Sequence, residues 1–361
     1  MSGRAIIIIV VGIIVVSGII LYNIEAASVS ITQNVNRFYS GREAQNIAQS
    51  GVNMALGQLS NDATWRTGFP SVNMLGGKAS VSVYDSTWNG RQVIKILSVG
   101  IMNIGTASQE KDTSIAYLPK GFYPPGIKGL VTAQTDVGTL GSFVIDARNY
   151  TMSGTLVPGT GTVAISTTKA FDQDGSSLIG GTNLLGTDFA PSASPDTSIL
   201  YQGVSPTNFP GTPDSVMGGA DNGYPEGTLK ALAKSGAGGG QYSANGSGIT
   251  IPLRGVTYIE SSYGGGMDGT GILVIHNSGK NAVYSTTSGT FKGILIVDDL
   301  VRVHSNVYGA IVILTKNPSS GNCLGNGSGG AYYSREAIYQ STGSLTLLGH
   351  RSSGAVLAWW E

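Results

Sequence analysis

The stretch AIIIIVVGIIVVSGIILY, residues 5–22, decides how the chain begins, because it is apolar on every side and carries no charge. As an α-helix it would span about 27 Å, enough to cross the hydrocarbon core of a bilayer. Arg4 before the stretch and Glu25 after it favour an orientation with the C-terminal bulk outside. A cleavable secretory signal is the alternative, although its apolar region usually covers only about 7–15 residues.

The helical pattern does not end with this stretch, since no proline interrupts residues 23–59. We expect one helix of nearly sixty residues, about 90 Å long. Its second part needs a sheet or another helix to cover its apolar side. That side is formed by residues at steps of three and four: Ile24, Ala27, Ile31, Val35 and Phe38, then, past Gly41, Ala44, Ala48, Val52, Ala55 and Leu59.

Three segments after the helix predict a small antiparallel sheet, because they are rich in β-forming residues and separated by turn residues. These segments are 78–85, 91–102 and 112–119, and the WNG tripeptide at 88–90 predicts the turn between the first two. The rigid GFYPPG at 121–126 predicts a domain boundary. We therefore expect three domains: the helix (1–59), the sheet with its linker (60–126) and a Gly-rich region (127–361).

The Gly-rich region contains a repeated pattern, in which a glycine is followed by four mostly apolar residues and then a polar or turn residue. A short repeat of this kind is typical of a parallel β-helix, whose strands are buried on both faces. A Gly-rich β-sandwich is the alternative. The repeats are GVTYIE at 255, GILVIH at 271, GILIVD at 293 and GAIVIL at 309, with related stretches GLVTAQTDV at 129 and GSFVIDARNY at 141.

Two further segments of this region have local signals. PEGTLKALAKSG at 225–236 predicts a short helix, with a proline in its first turn and a glycine at its end. LAWWE at 357–361 predicts a final strand. The whole chain is thus expected to be α+β: a long helix, a small antiparallel sheet and a large all-β region.

Composition and charge exclude several classes of protein. The chain has 361 residues with 21 basic and 21 acidic side chains, and no basic patch that would favour nucleic acid. Its 54 glycines are not spaced every third residue, which excludes collagen. The single cysteine, Cys323, cannot form an intramolecular disulfide, and its Gly/Asn/Ser-rich surroundings predict a loop.

No motif predicts catalysis, a metal site or a cofactor. The three histidines, His276, His304 and His350, are scattered, and we expect them to be solvent-facing turn residues. Asp298 and Asp299 are adjacent, and adjacent strand residues point to opposite faces. The DQDG at 172–175 lacks the remaining ligands of a calcium loop. We therefore expect a protein that is not an enzyme and needs no cofactor.

The first sixty residues resemble the type IV pilins and their PilX-type relatives, most closely in FYSGREAQNIAQSGVNMALGQL at 38–59. The resemblance implies a leader removed by prepilin peptidase, a helix held in the inner membrane, and transfer by the pilus machinery into a filament whose core is a helix bundle. The later stretches 146–168 and 330–342 are similar to the heads of PilX-like proteins. The resemblance thus implies an extracellular filament on the bacterial surface, built from copies of the chain.

One feature departs from typical pilins, which carry a glutamate at the fifth mature position that pairs with the terminal amine of a neighbouring subunit. If Met1 is the mature start, the fifth residue is Ala5; if MSG is the leader, it is Ile8. Neither has a carboxylate. Subunit registration would then depend on packing or on Glu25.

The resemblance assigns two sets of residues on the helix. Residues expected to dock the helix on the head are Ala44, Ala48, Val52, Ala55 and Leu59. Residues expected to form the membrane anchor and later the filament core are Ile6, Ile9, Ile13, Val16, Ile20, Ile24, Ile31, Val35 and Phe38. The leading prediction is thus a structural subunit that polymerises through its N-terminal helix and displays a β-rich head.

Two other functions stay open at this stage. A membrane-anchored β-helix enzyme acting on polysaccharide would need clustered carboxylates or basic residues on one face, and only 12% of the chain is charged. A minor or tip subunit could instead act in cell adhesion through aromatic residues of the head: Tyr258, Tyr263, Tyr332, Tyr333, Trp359 and Trp360.

Overall fold

A computed structural model describes residues 3–61, 65–88, 91–106, 108–320, 323–348 and 358–360. The protein is a mixed α+β chain with a long N-terminal helix, a small antiparallel sheet and many further strands. Helix α1 runs from Gly3 to Asn61, 59 residues, as the uninterrupted pattern predicts. Its described side chains are exposed from Ile7 to Tyr39, and burial begins at the next turn.

The small sheet covers the C-terminal part of α1. Its antiparallel order is β1-β2-β3-β4, with a fifth strand beside β4. That fifth strand confirms the prediction made for LAWWE, and the other predicted strands are also present. The strands are β1 (Phe69–Met74), β2 (Gly77–Trp88), β3 (Arg91–Met102), β4 (Glu110–Pro119) and the C-terminal Ala358–Trp360.

Strand β1 was not predicted, because Pro70 suggests a break rather than a strand. Strand β1 lies at the edge of the sheet and pairs only with β2, where a residue without a backbone N–H is tolerated. The predicted WNG turn is shifted as well: Trp88 is the last residue of β2 and pairs with Arg91, while residues 89–90 lie outside the described part.

The region after residue 127 is built from short strands, most of which pair in parallel. Its first part contains β5 (Val131–Ala133), β6 (Val137–Gly141), β7 (Val144–Asp146), β8 (Asn149–Tyr150), β9 (Leu156–Val157), β10 (Ile165–Thr167), β11 (Phe171–Gln173), β12 (Leu178–Thr182), β13 (Asp188–Ser192) and β14 (Leu200–Tyr201). Its second part contains β15 (Gln241–Ser243), β16 (Val256–Ile259), β17 (Gly269–Ile275), β18 (Val283–Thr286), β19 (Thr290–Val297), β20 (Asp299–Val303), β21 (Asn306–Ile313), β22 (Cys323–Gly327) and β23 (Gly330–Tyr333).

Three α-helices accompany these strands. Helix α3 matches the prediction for 225–236, whereas α4 was not predicted. Four short 3₁₀ turns lie at 197–199, 206–208, 219–222 and 237–239. The α-helices are α2 (Pro213–Val216), α3 (Thr228–Ser235) and α4 (Arg335–Leu348).

The four Gly-led repeats lie beside one another in register. Strands β16, β17, β19 and β21 are parallel neighbours in one sheet, so that Val256 pairs with Ile272, Ile272 with Ile294, and Ile294 with Ala310. Between these strands the chain visits a second parallel sheet, ordered β11-β6-β22-β20-β18. The apolar residues of the repeats are buried, and they form the main core together with the facing strands.

The glycines that begin the repeats form a column. Gly271 pairs with Gly293 and Gly293 with Gly309, and all three have φ between +119° and +153°. A Cβ at Gly309 would collide with the Gly293 carbonyl. Helix α4 packs over β17, β19 and β21 at this column, where Ser341 lies against Gly293. The absence of side chains therefore makes room both for the stacking of strands and for α4.

The order of the strands in space differs from their order in the chain. Strand β5 pairs with both β10 and β21, so that Val131 lies between Ile165 and Ile311. In the same way β6 pairs with β22, and β7 with β23. We call the parallel-stranded region after residue 127 the stack. The stretches at 129 and 141 thus belong to the stack as predicted, but their strands lie between strands from later parts of the chain. Residues 202–240 connect the strand at one end, β14, to the strand at the other, β15.

Candidate functional site: the exposed part of the N-terminal helix

The N-terminal part of α1 has no partner within the described chain. The predicted core residues Ile9, Ile13, Val16, Ile20, Ile24, Ile31, Val35 and Phe38 are between 46% and 64% exposed. The side chain of the ninth, Ile6, lies outside the described residues. We define residues 7–39 as the exposed arm; at 1.5 Å per residue it is about 50 Å long.

The exposed arm is apolar in its first half. From Ile7 to Tyr39 its only charged residues are Glu25 and Arg37. One 18-residue window has a mean hydropathy of 2.8 and is not buried at all. By length and composition the helix can cross a membrane, a test that an N-terminal signal sequence also passes.

An exposed surface of this kind is unfavourable in water. Full burial of one Val, Leu or Ile side chain contributes about 1.5–3 kcal/mol, and the exposed arm carries many such side chains. Soluble monomers rarely expose apolar patches of more than a few hundred Å². The exposed arm therefore requires lipid or other protein surfaces around it.

The character of the exposed arm changes beyond Tyr22. There most of the large apolar residues lie on one stripe, with Val29 off it, while polar residues such as Gln33 and Asn36 occupy the other faces. Phe38 marks the end of the stripe and is contacted by the Arg42 guanidinium, 5.7 Å from the ring centre. The first hydrogen bond to the rest of the protein comes at Ser40, whose hydroxyl accepts from Asn103 Nδ2 at 2.8 Å.

The C-terminal part of α1 is buried on the small sheet. The side chains assigned to docking, Ala44, Ala48, Val52, Ala55 and Leu59, are all fully buried. Val52, Ala55 and Leu59 share a core cluster with strand residues such as Val81 and Ile96, while Ala44 and Ala48 lie against Gly100. Ile47 is also fully buried and was missed, because it falls between the predicted stripe positions.

Two glycines allow the helix to approach the sheet closely. A Cβ at Gly51 would meet Ser98 Oγ and Val81 Cγ2, and one at Gly100 on β3 would collide with the Ala44 carbonyl. The absence of side chains at Gly51 and Gly100 therefore sets how closely α1 approaches the sheet. By contrast Gly12, Gly18 and Gly57 have nothing within 4 Å of such a Cβ.

Helix α4 ties the small sheet to the parallel stack. The Thr342 hydroxyl lies within hydrogen-bonding distance of both backbone groups of Phe122, at 2.9 Å from N and 2.8 Å from O. Gly121 lies directly under the Tyr339 carbonyl, where no Cβ would fit. The chain therefore enters the stack next to the helix by which it leaves.

The two histidines that the structure describes, His276 and His304, have separate partners. The expectation that His276 faces solvent is wrong: its side chain is 11% exposed and its Nδ1 lies 2.6 Å from the buried Asp298 carboxylate. Asp298 also accepts from the backbone N–H of Asn277, so the pair satisfies the corner after β17. His304 is exposed, as predicted, and contacts Ser328. His350 lies outside the described residues.

Other candidate sites also have structural roles. Asp299, next to Asp298, accepts from the backbone N–H and hydroxyl of Ser319 and does not face His276. Within the described ranges no group of three or more His, Cys, Asp or Glu residues is placed to hold a metal ion. Of the aromatic residues considered for adhesion, Tyr258 and Tyr333 are buried, and the side chains of Trp359 and Trp360 lie outside the described part.

Comparison with known proteins gives no match: no family model, no curated protein and no solved structure resembles the chain sufficiently. The resemblance to type IV pilins therefore stays a prediction that rests on residues 1–60 and on the two stretches of the head. The exposed arm, and its continuity with the docked part of the same helix, provide the physical basis for a function.

Proposed function

We propose that the protein is the structural subunit of a type IV pilus-like extracellular filament. The observation that carries this proposal is that one continuous helix has two different surroundings. One face of residues 44–59 is buried on the protein's own sheet, whereas the exposed arm, apolar in its first half, is unpartnered over about 50 Å. Copies of the chain would bury their exposed arms against one another and display the stack outward.

The same helix would serve first as an anchor in the inner membrane. Residues 5–22 match the thickness of the bilayer core, so lipid covers them before assembly. Beyond Tyr22 the narrower stripe suits a helix bundle better than lipid, because most residues on the other faces of the helix are polar or small. Prepilin peptidase and the pilus assembly machinery would be the partners at this stage, and transfer exchanges lipid contacts for contacts between helices.

We further infer that the stack is a parallel β-helix. In-register parallel pairing of repeats across two sheets supports this architecture. The fully buried apolar residues of β17, β19 and β21 fit parallel strands that are covered on both faces, and α4 covers one of these faces. Such a head would be rigid, because most of its strands pair with neighbours on both sides.

The first test is mass spectrometry of the N-terminal peptide from material sheared off whole cells. We expect the sheared protein to retain residues 6–22 with a processed terminus. Removal of residues 5–22 should abolish filaments. Protein that stays with the membrane fraction, or sheared protein without residues 6–22, would exclude a filament subunit.

A second test separates assembly from membrane insertion. Phe38→Glu places a charge on the stripe beyond the membrane-spanning residues, and Asn36→Glu places the same charge on the polar side of that turn. We expect both variants to reach the membrane, and only the Phe38 variant to lose filaments in sheared fractions. Equal filament yields would show that the stripe does not pack between copies.

A minor or tip adhesin is the second candidate. It is favoured by a partly exposed aromatic cluster, in which Tyr308 and Tyr332 stack at 4.9 Å and Tyr150 meets Tyr332 edge-on at 5.6 Å. Immunogold labelling of the head distinguishes the two roles. Label along the whole filament supports a shaft subunit, whereas label confined to one end supports a tip protein.

A further inference from the structure

A groove that the filament function does not use lies where the chain enters the stack. Two cavities of about 340 Å³ each adjoin there and share the residues Lys128, Gly161, Thr162 and Arg335. Cavities of this size fall in the range that holds small ligands. We call the combined cavity the Lys128–Arg335 groove.

The charge of this groove is entirely positive. Among its lining residues only Lys128 and Arg335 are charged. Within the described part of the chain neither of them forms an ion pair. A carboxylate does lie behind one wall, but Asp188 already accepts from the Thr182 hydroxyl at 2.6 Å and from the Gly159 N–H at 2.8 Å. The two cations thus remain available to an anion.

The rest of the lining consists largely of hydroxyl groups, amides and tyrosine rings. Thr160, Thr162 and Asn183 line the groove together with Tyr201 at one end and Tyr339 at the other. Hydroxyl and amide groups both donate and accept hydrogen bonds, as the many hydroxyls of a sugar require. Tyrosine rings add amphipathic surfaces with a polar tip.

The walls of the groove are held in place before any ligand arrives. Asn149, which is 9% exposed, donates to the Thr160 hydroxyl at 2.9 Å and accepts from the backbone N–H of Arg335 at 3.0 Å. It therefore ties the loop at one wall to the start of α4 at the other. Gly161 cannot carry a side chain, because a Cβ would collide with the Ala147 carbonyl. Such preorganisation lowers the entropic cost of binding.

Two tyrosines next to Arg335 help to keep this end of the groove positively charged. The Tyr333 hydroxyl, hydrogen-bonded to the guanidinium, raises the pKa of Arg335. Burial raises the pKa of the adjacent Tyr123, which therefore stays a neutral hydroxyl group. Tyr123 therefore does not compensate the positive charge at this end of the groove.

We propose that the Lys128–Arg335 groove binds an acidic oligosaccharide, whose carboxylates pair with Lys128 and Arg335. A small inorganic anion would use the cations alone. A sugar chain would in addition use the hydroxyl groups and rings of both cavities, and the two adjoining cavities provide length for more than one sugar unit. The proposal concerns the head only and does not depend on filament assembly.

The test uses the full chain in micelles of a non-ionic polyoxyethylene detergent, with binding measured by calorimetry. The probes are trigalacturonate, its methyl ester and inorganic sulfate at equal ionic strength. We expect trigalacturonate to bind at least tenfold more tightly than the ester and than sulfate. Absence of trigalacturonate binding, or equal binding of the ester, overturns the proposal. Sulfate binding as tight as that of trigalacturonate also overturns it and leaves a small-anion site only.

Variants locate the binding site. K128Q and R335Q should each weaken trigalacturonate binding at least tenfold, and R335K should keep more of it than R335Q. K316Q removes the same charge from an exposed lysine that lines neither cavity, and should bind as the unaltered protein does. Thermal melts show whether each variant folds. If one of K128Q and R335Q does not fold, the binding measured for the other variant tests the proposal. Unchanged binding by folded K128Q and R335Q would exclude this groove.

Discussion

At the scale of single residues, helix α1 contains two glycines in opposite surroundings. Gly51 lies against the sheet, where a Cβ would meet Ser98 and Val81, whereas a Cβ added at Gly57 would have no described atom within 4 Å. Ser98 is fully buried, and its hydroxyl has no hydrogen-bond partner among the described residues. The same substitution at the two positions should therefore have opposite effects.

Gly57→Ala should stabilise the protein by up to about 1 kcal/mol, because alanine favours the helix. Gly51→Ala should destabilise it by about 1–3 kcal/mol through overpacking. Ser98→Ala combined with Gly51→Ala should recover part of that loss, since it removes the atom in the way. Thermal denaturation in detergent measures all three. A Gly51 variant as stable as the Gly57 variant would contradict the close docking of α1.

A second residue-level prediction concerns pH. The Lys230 ammonium at 2.6 Å and the Tyr242 hydroxyl lower the pKa of the Glu260 carboxyl from its ordinary 4.5. Because the folded-state pKa is lowered, the ionised group stabilises the fold above pH 4.5, and this contribution is lost as the pH falls through the lowered pKa.

Comparison of Glu260→Gln with the unaltered protein tests this linkage. At neutral pH the variant should be less stable by under about 1 kcal/mol, because the pair is partly exposed. The difference should shrink as the pH falls below 4.5 and vanish once the folded-state carboxyl is protonated. Denaturant unfolding at neutral and at low pH measures it, and a difference that persists at the lower pH would exclude ionisation of Glu260 as its cause.

At the scale of elements, the glycine column determines how the strands and α4 fit together. Gly309 has φ +144° and lies directly on the Gly293 carbonyl. Gly309→Ala should therefore cost about 2 kcal/mol or more, through both strain and collision. Gly264→Ala is the matched control, since nothing lies within 4 Å of its added Cβ. The measurement is the melting temperature of the two variants. Equal melting temperatures would contradict the close packing of the glycine column.

The elements differ in how far the sequence predicts them. The repeats are visible because each glycine and the apolar run after it are local signals. Helix α4 is not, since its segment contains Gly343 and several Ser and Thr residues, and its stability comes from packing on the column. The burial of His276 was missed for a related reason: its partner Asp298 is 22 residues away and is brought near only by the pairing of β17 with β19.

At the scale of the whole molecule, the only described contact between the exposed arm and the rest of the protein lies within α1 itself, between Phe38 and Arg42, and the first hydrogen bond to another element comes at Ser40. A chain that begins at Ser40 should therefore be monomeric in water and melt within a few degrees of the full chain in detergent. Size-exclusion chromatography and thermal denaturation check both expectations. Aggregation of the shortened chain would indicate a second assembly surface on the head or the sheet.

The site is predictable to a similar degree. The docking residues and the residues of the exposed arm both follow from the spacing of apolar residues along α1, so they could be named in advance. The Lys128–Arg335 groove could not be, because Lys128, Gly161 and Arg335 converge only through the interior position of β5. No local pattern encodes that position, which depends on pairing between distant segments.

That interior position of β5 has a consequence for how the protein is made. Val131 cannot pair with Ile311 until Ile311 has been synthesised, and Ile311 is 180 residues later in the chain (311 − 131). At a synthesis rate of about 5–20 residues per second, this delay is roughly 10–40 s. During this time one edge of β5, β6 and β7 stays unpaired outside the ribosome. A nascent chain of this protein is therefore a natural client for a chaperone that shields strand edges.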